Sequence, residues 1–457
     1  MSPEHLNYHR QTVRSISVPP GMSHLGYACQ AFHPNQSARC NDAVVPYPQR
    51  SEQITIVGVY PPTFYLAPAL VMRAASTSLA ALRISRGVEA LTCLIFVLLA
   101  LLCAYDPSQG GSSLLGVALA ATPMVLFVGA SLTPNGPEIC SALAFGTSLL
   151  RLIREEKPAP RWVHLVAAAS GASLATARSV GPMWVTLHLF VFVLVAGWSR
   201  LRSLWKVEGR LLLAVGAILA IAVGANRLWE AAYGAHAPIH VSNSLIEQMF
   251  ESRAAVWDWL KEAIGNFQYL DTPMPPFAYK LYAAAFALLA MAALRHASSW
   301  ERTLFGLSCL SAAAVPLSFY FVVVRGLGFG LQGRYILPFL VIVPLFSGEL
   351  LRRHWSTLAP LLRTATLGSV FLVSLLHLVG LYSNGRRSAV GLNGPRFFIQ
   401  QPEWSPPGGW ALSLGLGAMG CLLLASALVA GFFHSPRWYP LTAETTPPSR
   451  PGSIKPQ

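Results

Sequence analysis

The sequence predicts an all-α polytopic membrane protein of about 11 transmembrane helices, with an external N-terminal loop region and external juxtamembrane helices. Three observations lead there. Only 11% of the 457 residues are charged, against roughly a quarter in a soluble globular chain, too few to clothe a water-facing surface of this size. Hydrophobic residues reach 53% and mean hydropathy is +0.48. Apolar runs follow one another from residue 87 to residue 433, without the alternating strands of a membrane barrel. A soluble enzyme, a disordered chain and a conventional nucleic-acid binder are excluded. The aromatic content, 11% of the chain, suits interfacial belts.

Within the external region 1–86, residues 1 to about 60 are polar and rich in Pro, His and Ser, with no basic stretch leading into an apolar core of the signal-peptide kind. They read as an external loop region. The stretch opened by Tyr60-Pro61-Pro62-Thr63-Phe64-Tyr65 is too short to span and reads as a helix lying along the interface. The bundle occupies 87–433, with apolar runs at 87–105, 113–130, 137–153, 163–177, 182–198, 211–226, 279–295, 303–324, 335–350, 358–382 and 410–433. Residues 434–457, rich in Pro, Ser and Thr, read as a disordered tail.

Orientation comes from the short loops. Arg151, Arg154, Lys157 and Arg161 share one; Arg200, Arg202, Lys206 and Arg210 share a second; Arg295 with Arg302 and Arg352 with Arg353 mark two more. Loops between them, such as 132–138, are poor in basic residues. The positive-inside rule puts the basic set in the cytoplasm of a cell whose inner (plasma) membrane holds the chain. The segments 227–278, 325–334 and 383–409 then face outside, and the tail faces in. The net charge of +14, from 33 Lys and Arg against 19 Asp and Glu, is spread between apolar segments. It reads as topology and contact with anionic lipid, with no nucleic-acid partner.

Several polar residues stand at the outer ends of these runs. Arg334, in Gln332-Gly333-Arg334-Tyr335-Ile336-Leu337-Pro338, follows a glycine turn. Its planar fork suits a phosphate; snorkelling to the interface is the other reading. Arg178, in Ala177-Arg178-Ser179-Val180-Gly181-Pro182, is a second such arginine. Thr133-Pro134-Asn135-Gly136-Pro137-Glu138 holds a carboxylate at a helix start, where it serves a site or complements the helix dipole. Glu4, His5 and His9 have helical spacing, but the order is not that of a zinc-binding HExxH motif. Gly328–Gly333 matches GxGxxG without a βαβ setting, so it reads as a turn. His236 and His240 are separated by Pro238, which argues against a helical metal pair. Cys29 and Cys40 lie in the external N-terminal region, where oxidising conditions permit a disulfide.

Taken in order, Pro3-x-His5, Cys29 to Cys40, Tyr60-Pro61-Pro62 to Tyr65, Thr133-Pro134-Asn135-Gly136, Ala177-Arg178, Gln332-Gly333-Arg334-Tyr335 to Pro338 and Trp404-x-Pro406-Pro407 resemble a bacterial multi-pass membrane family, domain of unknown function 2142 (DUF2142). That family is grouped with the glycosyltransferases of GT-C type, which take a sugar from a polyprenyl phosphate on the outer face of the membrane. The resemblance implies a role in cell-envelope glycan assembly, with a polyprenyl-phosphate sugar as donor and a glycan or protein as acceptor. It implies an acid in the first external loop as general base and basic residues facing the leaving phosphate. By position, Glu4 and Glu138 are the candidate acids, and Arg178, Arg334, Tyr335, Asn135 and His5 the candidate substrate-binding residues. A divalent cation serves some enzymes of the group and not others. Where the family keeps an Asp-Glu pair ahead of Pro-x-His, this chain has Met1 and Ser2, and Glu4 is the nearby acid. A transporter or flippase of lipid-linked sugars, or a non-catalytic homologue, is the alternative. Residues 1–86 carry seven Arg and no signal, so a further span upstream of Met1 is expected, making twelve.

The topology is open to a direct check. In intact cells, Leu245→Cys should react with an impermeant thiol reagent and Trp205→Cys should not; the reverse pattern contradicts the orientation.

Overall fold

The computed structural model describes residues 14–18, 29–43, 49–55, 57–109, 111–154, 158–234, 256–295, 297–319 and 331–433. Two antiparallel strands, β1 (Arg14–Val18) and β2 (Ser51–Thr55), precede the helices, with Arg14 opposite Thr55 and Val18 opposite Ser51. The helices are α1 (Thr63–Met72), α2 (Ser78–Ala104), α3 (Leu115–Ala120), α4 (Pro123–Gly129), α5 (Asn135–Arg154), α6 (Arg161–Ala177), α7 (Gly181–Tyr233), α8 (256–265), α9 (Pro276–Arg295), α10 (Ser299–Phe319), α11 (Gly333–Leu340), α12 (Ile342–Arg353), α13 (Trp355–Val390) and α14 (Gly409–Phe433). Between α8 and α9 lies a second pair of strands, β3 (Asn266–Phe267) and β4 (Thr272–Pro273).

Small side chains decide which helix is central. Residues 135–150 of α5 are all buried, and α2, α6, α7, α11 and α12 pack around it. Gly136, Ala142, Ala144 and Gly146 let neighbours approach, and the hydroxyls of Ser141, Thr147 and Ser148 donate back to carbonyls of their own helix. Local signals set the ends. Thr77 caps α2, its Oγ1 accepting the Ala80 N–H at 3.1 Å. Pro123 opens α4 after a 71° bend, and the Thr122 hydroxyl at that bend donates to Ala263 O at 2.7 Å.

A straight helix of α7's 53 residues would carry its ends about 80 Å apart. They are instead brought together. Gly197 leaves the helical conformation at φ 70°, a region open to glycine, and the helix reverses there. Asn226 Nδ2 then donates to Arg178 O at 2.8 Å, just ahead of the helix start.

The expectation of about 11 spans is not reproduced as a count. Among the described residues, six helices are long and apolar enough to cross a membrane, or seven if the bent pair around Ala121 is one span. The runs 182–198 and 211–226 are two helical arms on either side of the break at Gly197 and count once, within Gly181–Tyr233. The run 163–177 lies on α6, only 17 residues long and rich in Ala, Ser and Gly. The short helix expected along the interface is α1, with 10 residues. The segments 227–278 and 383–409, read as external loops, are partly helical: α7 runs on to Tyr233, 256–265 forms α8, and α13 runs on to Val390. Residues 434–457, most of 325–334 and the histidines at 236 and 240 lie outside the described residues.

Polar loops gather at two ends. At one, Cys29 and Cys40 are joined in a disulfide with Cα atoms 6.1 Å apart. The loop they close is pinned by Arg387, a fully buried residue of α13 that donates to Gln36 O at 2.6 Å, His33 O at 3.0 Å and Gln30 O at 3.1 Å, and pairs with Asp271 at 3.0 Å. At the other end lie Arg151, Arg154, Arg200, Arg302, Arg352 and Arg353, all from the basic short loops of the sequence.

Non-reducing peptide mapping should recover one peptide pair linking Cys29 to Cys40. Cys40→Ser should lower stability by about 2–3 kcal/mol on the chain-entropy account. Two free thiols in the native protein would contradict the link.

Candidate functional site

Five separate stretches of chain meet at the disulfide-bearing end. Ala177 closes α6, and Arg178 follows with extended backbone, φ −151° and ψ 170°, because Gly181-Pro182 starts the next helix at once. This turn carries the Arg178 side chain toward the start of α5. Its Nη1 donates to Asn135 Oδ1 at 3.0 Å and lies 3.5 Å from Glu138 Oε2. Glu138 is fully buried, and its Oε1 accepts the Trp184 indole N–H at 3.1 Å. The Arg178 guanidinium lies over two aromatic rings, 4.6 Å from the Tyr335 ring centroid and 5.5 Å from that of Tyr60.

Tyr335 also borders Arg334, whose guanidinium carbon is 5.7 Å from the same ring. Arg334 is the second residue of α11 and is half-buried. Its Nε is shielded from solvent and has no hydrogen-bond partner among the described residues. The helix start is held close to α8: Gly333 N–H donates to Glu262 Oε2 at 2.7 Å. A Cβ at Gly333 would overlap the Trp259 carbonyl, so only glycine permits this approach. Burial raises the Glu262 carboxyl above the ordinary carboxylate range, and Asp258 pushes the same way, while the Gly333 N–H and Arg334 pull it back.

The arrangement divides the residues singled out in the sequence. Asn135, Glu138, Arg178 and Tyr335 are brought into contact, and Arg334 adjoins them. Arg178 is engaged by Asn135, Glu138 and two rings, whereas Arg334 faces one ring and its Nε has no partner among the described residues. Glu138 stands in the first turn of α5, so it complements the helix dipole and neutralises Arg178 together. Cys29 and Cys40 lie in the loop held by Arg387. Glu4 and His5 lie outside the described residues. Among the described residues, no three His, Cys, Asp or Glu side chains are placed to hold a metal ion.

Residues 4–343 match a family of predicted membrane proteins, DUF2142. The chain belongs to that family. No curated protein and no solved structure matches it. As a DUF2142 membrane protein it carries the Thr-Pro-Asn-Gly, Ala-Arg and Gln-Gly-Arg-Tyr elements inside the matched region, and Trp404-Ser405-Pro406-Pro407 beyond it.

Sequence reasoning passed over Glu262. It belongs to no motif, and its neighbour Gly333 is 71 positions away. The usable signal was the amphipathic run Trp257-Asp258-Trp259-Leu260-Lys261-Glu262 in a segment read only as an external loop. Tyr60 was noted as part of Tyr-Pro-Pro, without a role.

The buried ion pair yields a double-mutant prediction. Arg178→Gln should destabilise the detergent-solubilised protein by roughly 3–5 kcal/mol, because Glu138 is left buried and unpaired. Adding Glu138→Gln should recover much of that loss. Additive losses in thermal unfolding would show that the two side chains do not act as a pair.

Proposed function

We propose that this membrane protein is a glycosyltransferase that takes a sugar from a polyprenyl-phosphate donor on the outer face of the membrane and passes it to a glycan or protein acceptor. The observation that carries the reading is Arg334: a guanidinium at a helix start, with a shielded Nε that has no partner among the described residues. A phosphate is the ligand such a fork fits best.

An apolar cavity of about 240 Å³ supports the same reading. It is lined by Leu260 and Ile264 of α8, Phe286 of α9, and Leu337, Leu340 and Val341. Arg334, Leu337 and Val341 are spaced three and four apart, so they share one helical face. A phosphate at Arg334 thus has an apolar slot below it for the start of an isoprenoid chain.

Glu262 is the acid beside this phosphate position. In the proposed step the acceptor hydroxyl oxygen attacks the anomeric carbon and its proton passes to the Glu262 carboxylate. The bond from that carbon to the phosphate oxygen breaks, and the electron pair leaves with the polyprenyl phosphate, whose growing negative charge faces Arg334. Arg178, Glu138 and Asn135 hold Tyr335 in place and so fix Arg334. Glu4 is the rival acid from the N-terminal region.

The test is sugar transfer by purified protein from a panel of polyprenyl-phosphate sugars. Arg334→Lys should raise the donor KM about tenfold, the worth of a lost charge-assisted hydrogen bond. Glu262→Gln should retain donor binding and lose transfer. In the wild type, activity should fall as pH drops through the raised Glu262 pKa, because the base becomes protonated. Transfer lost in Glu4→Gln but kept in Glu262→Gln would move the base to the N-terminal region. Movement of labelled lipid across vesicles without any transfer would favour the flippase reading.

A further inference from the structure

The opposite end of the bundle holds a second polar cavity, of about 330 Å³. Its wall carries Arg154, Arg200, Arg352, Arg353 and Glu349, beside the apolar side chains of Ile153 and Val195. Glu349 is fully buried and takes Arg154 at 2.6 Å, Arg352 at 2.9 Å and Arg353 at 3.3 Å. Behind the wall, Asp106 lies 3.5 Å from Arg352 and Glu301 lies 3.1 Å from Arg353. Among these groups four guanidinium ions face three carboxylates, so a positive charge is left over.

The leftover charge comes with leftover donors. Arg154 uses Nε on Glu349 and Nη1 on the carbonyls of Cys103 and Ala104. Arg200 uses Nε and Nη2 on the carbonyls of Ile153 and Leu152. Arg353 uses Nε on Glu349 and Nη1 on Glu301. The remaining terminal amino group of each has no protein partner among the described residues. Three positively charged donors fixed from behind, lining one cavity, form a receptor for a tetrahedral anion.

The surroundings say where that anion comes from. Trp162, Trp198, Trp205 and Trp300, which stand on helix segments beginning or turning at this end, are 40%, 73%, 56% and 56% exposed. Exposed indoles at one level of a membrane bundle mark the headgroup layer. We infer that the cavity walled by Arg154, Arg200 and Arg353 binds the phosphate of an anionic phospholipid headgroup, with the first part of its acyl chains against Ile153 and Val195. The site is independent of the proposed transferase chemistry, which lies at the other end of the bundle. A bound headgroup neutralises the leftover charge and ties the ends of α5 and α12 to the turn of α7.

Native mass spectrometry and thermal unfolding of the full-length protein in neutral detergent test this. Added phosphatidylglycerol should remain bound and raise Tm in a saturable way, and phosphatidylcholine should not. Arg200→Gln, which leaves the Glu349 cluster intact, should weaken phosphatidylglycerol binding about tenfold. Arg353→Gln should do likewise. Arg302→Gln, at the same end but not in the cavity wall, should bind as the wild type does. Equal binding of both lipids, or unchanged affinity in both cavity variants, overturns the proposal. So does saturation by inorganic phosphate with no further effect of lipid, which would identify the ligand as a free anion.

Discussion

The ion pair between Arg178 and Glu138 is the constraint on which the site-bearing end depends. A carboxylate with no solvent contact cannot stay ionised alone among apolar side chains, and neither can a guanidinium. Once Arg178 must reach Glu138, the ends of α6 and α5 are fixed against each other. Its ring contacts then fix Tyr335 and Tyr60, and its carbonyl fixes Asn226. Arg334 inherits its position from this chain of contacts. The residue available for a ligand is therefore held by one that is not.

The same constraint shapes the other end, with helix carbonyls taking part of the load. Arg151 donates to Tyr105 O, Arg154 to Cys103 O and Ala104 O, Arg200 to Ile153 O and Leu152 O, and Arg302 to Leu294 O and Arg295 O. These carbonyls lie at or just past helix C-termini, where intrahelical partners run out and the negative end of the dipole falls. Basic residues in short loops are usually credited with orienting a membrane chain during insertion. Here the same residues also satisfy the helix ends that insertion leaves open.

Much of the fold was legible because burial in lipid leaves one period to read. Apolar runs became helices, and the stretch after Tyr60-Pro61-Pro62 became a helix too short to span. The number of spans was less legible, because two runs follow each other through a tight reversal at Gly197 and α6 has a composition intermediate between a span and a core helix. In the site, Asn135, Glu138, Arg178 and Tyr335 were each found from local chemistry at a helix end, but nothing local could say that they touch. Glu262 and Arg387 were missed for a related reason. Each looks like an ordinary charged residue in its own segment, and its meaning lies in partners 71 and up to 357 positions away. Glu4 and His5 rest on the family resemblance alone.

The reversal of α7 at Gly197 has a mechanical consequence. The helix leaves the chain beside Arg178, turns at the far face of the bundle, and returns to hand a hydrogen bond back to Arg178. Its two arms form a hairpin that turns at the non-helical Gly197 and is tied at its open end by the Asn226 amide on the Arg178 backbone carbonyl. A change of angle at that turn must move Asn226 relative to the Arg178 carbonyl. The second arm of α7 is thus held to the site-bearing end through the Asn226 side chain.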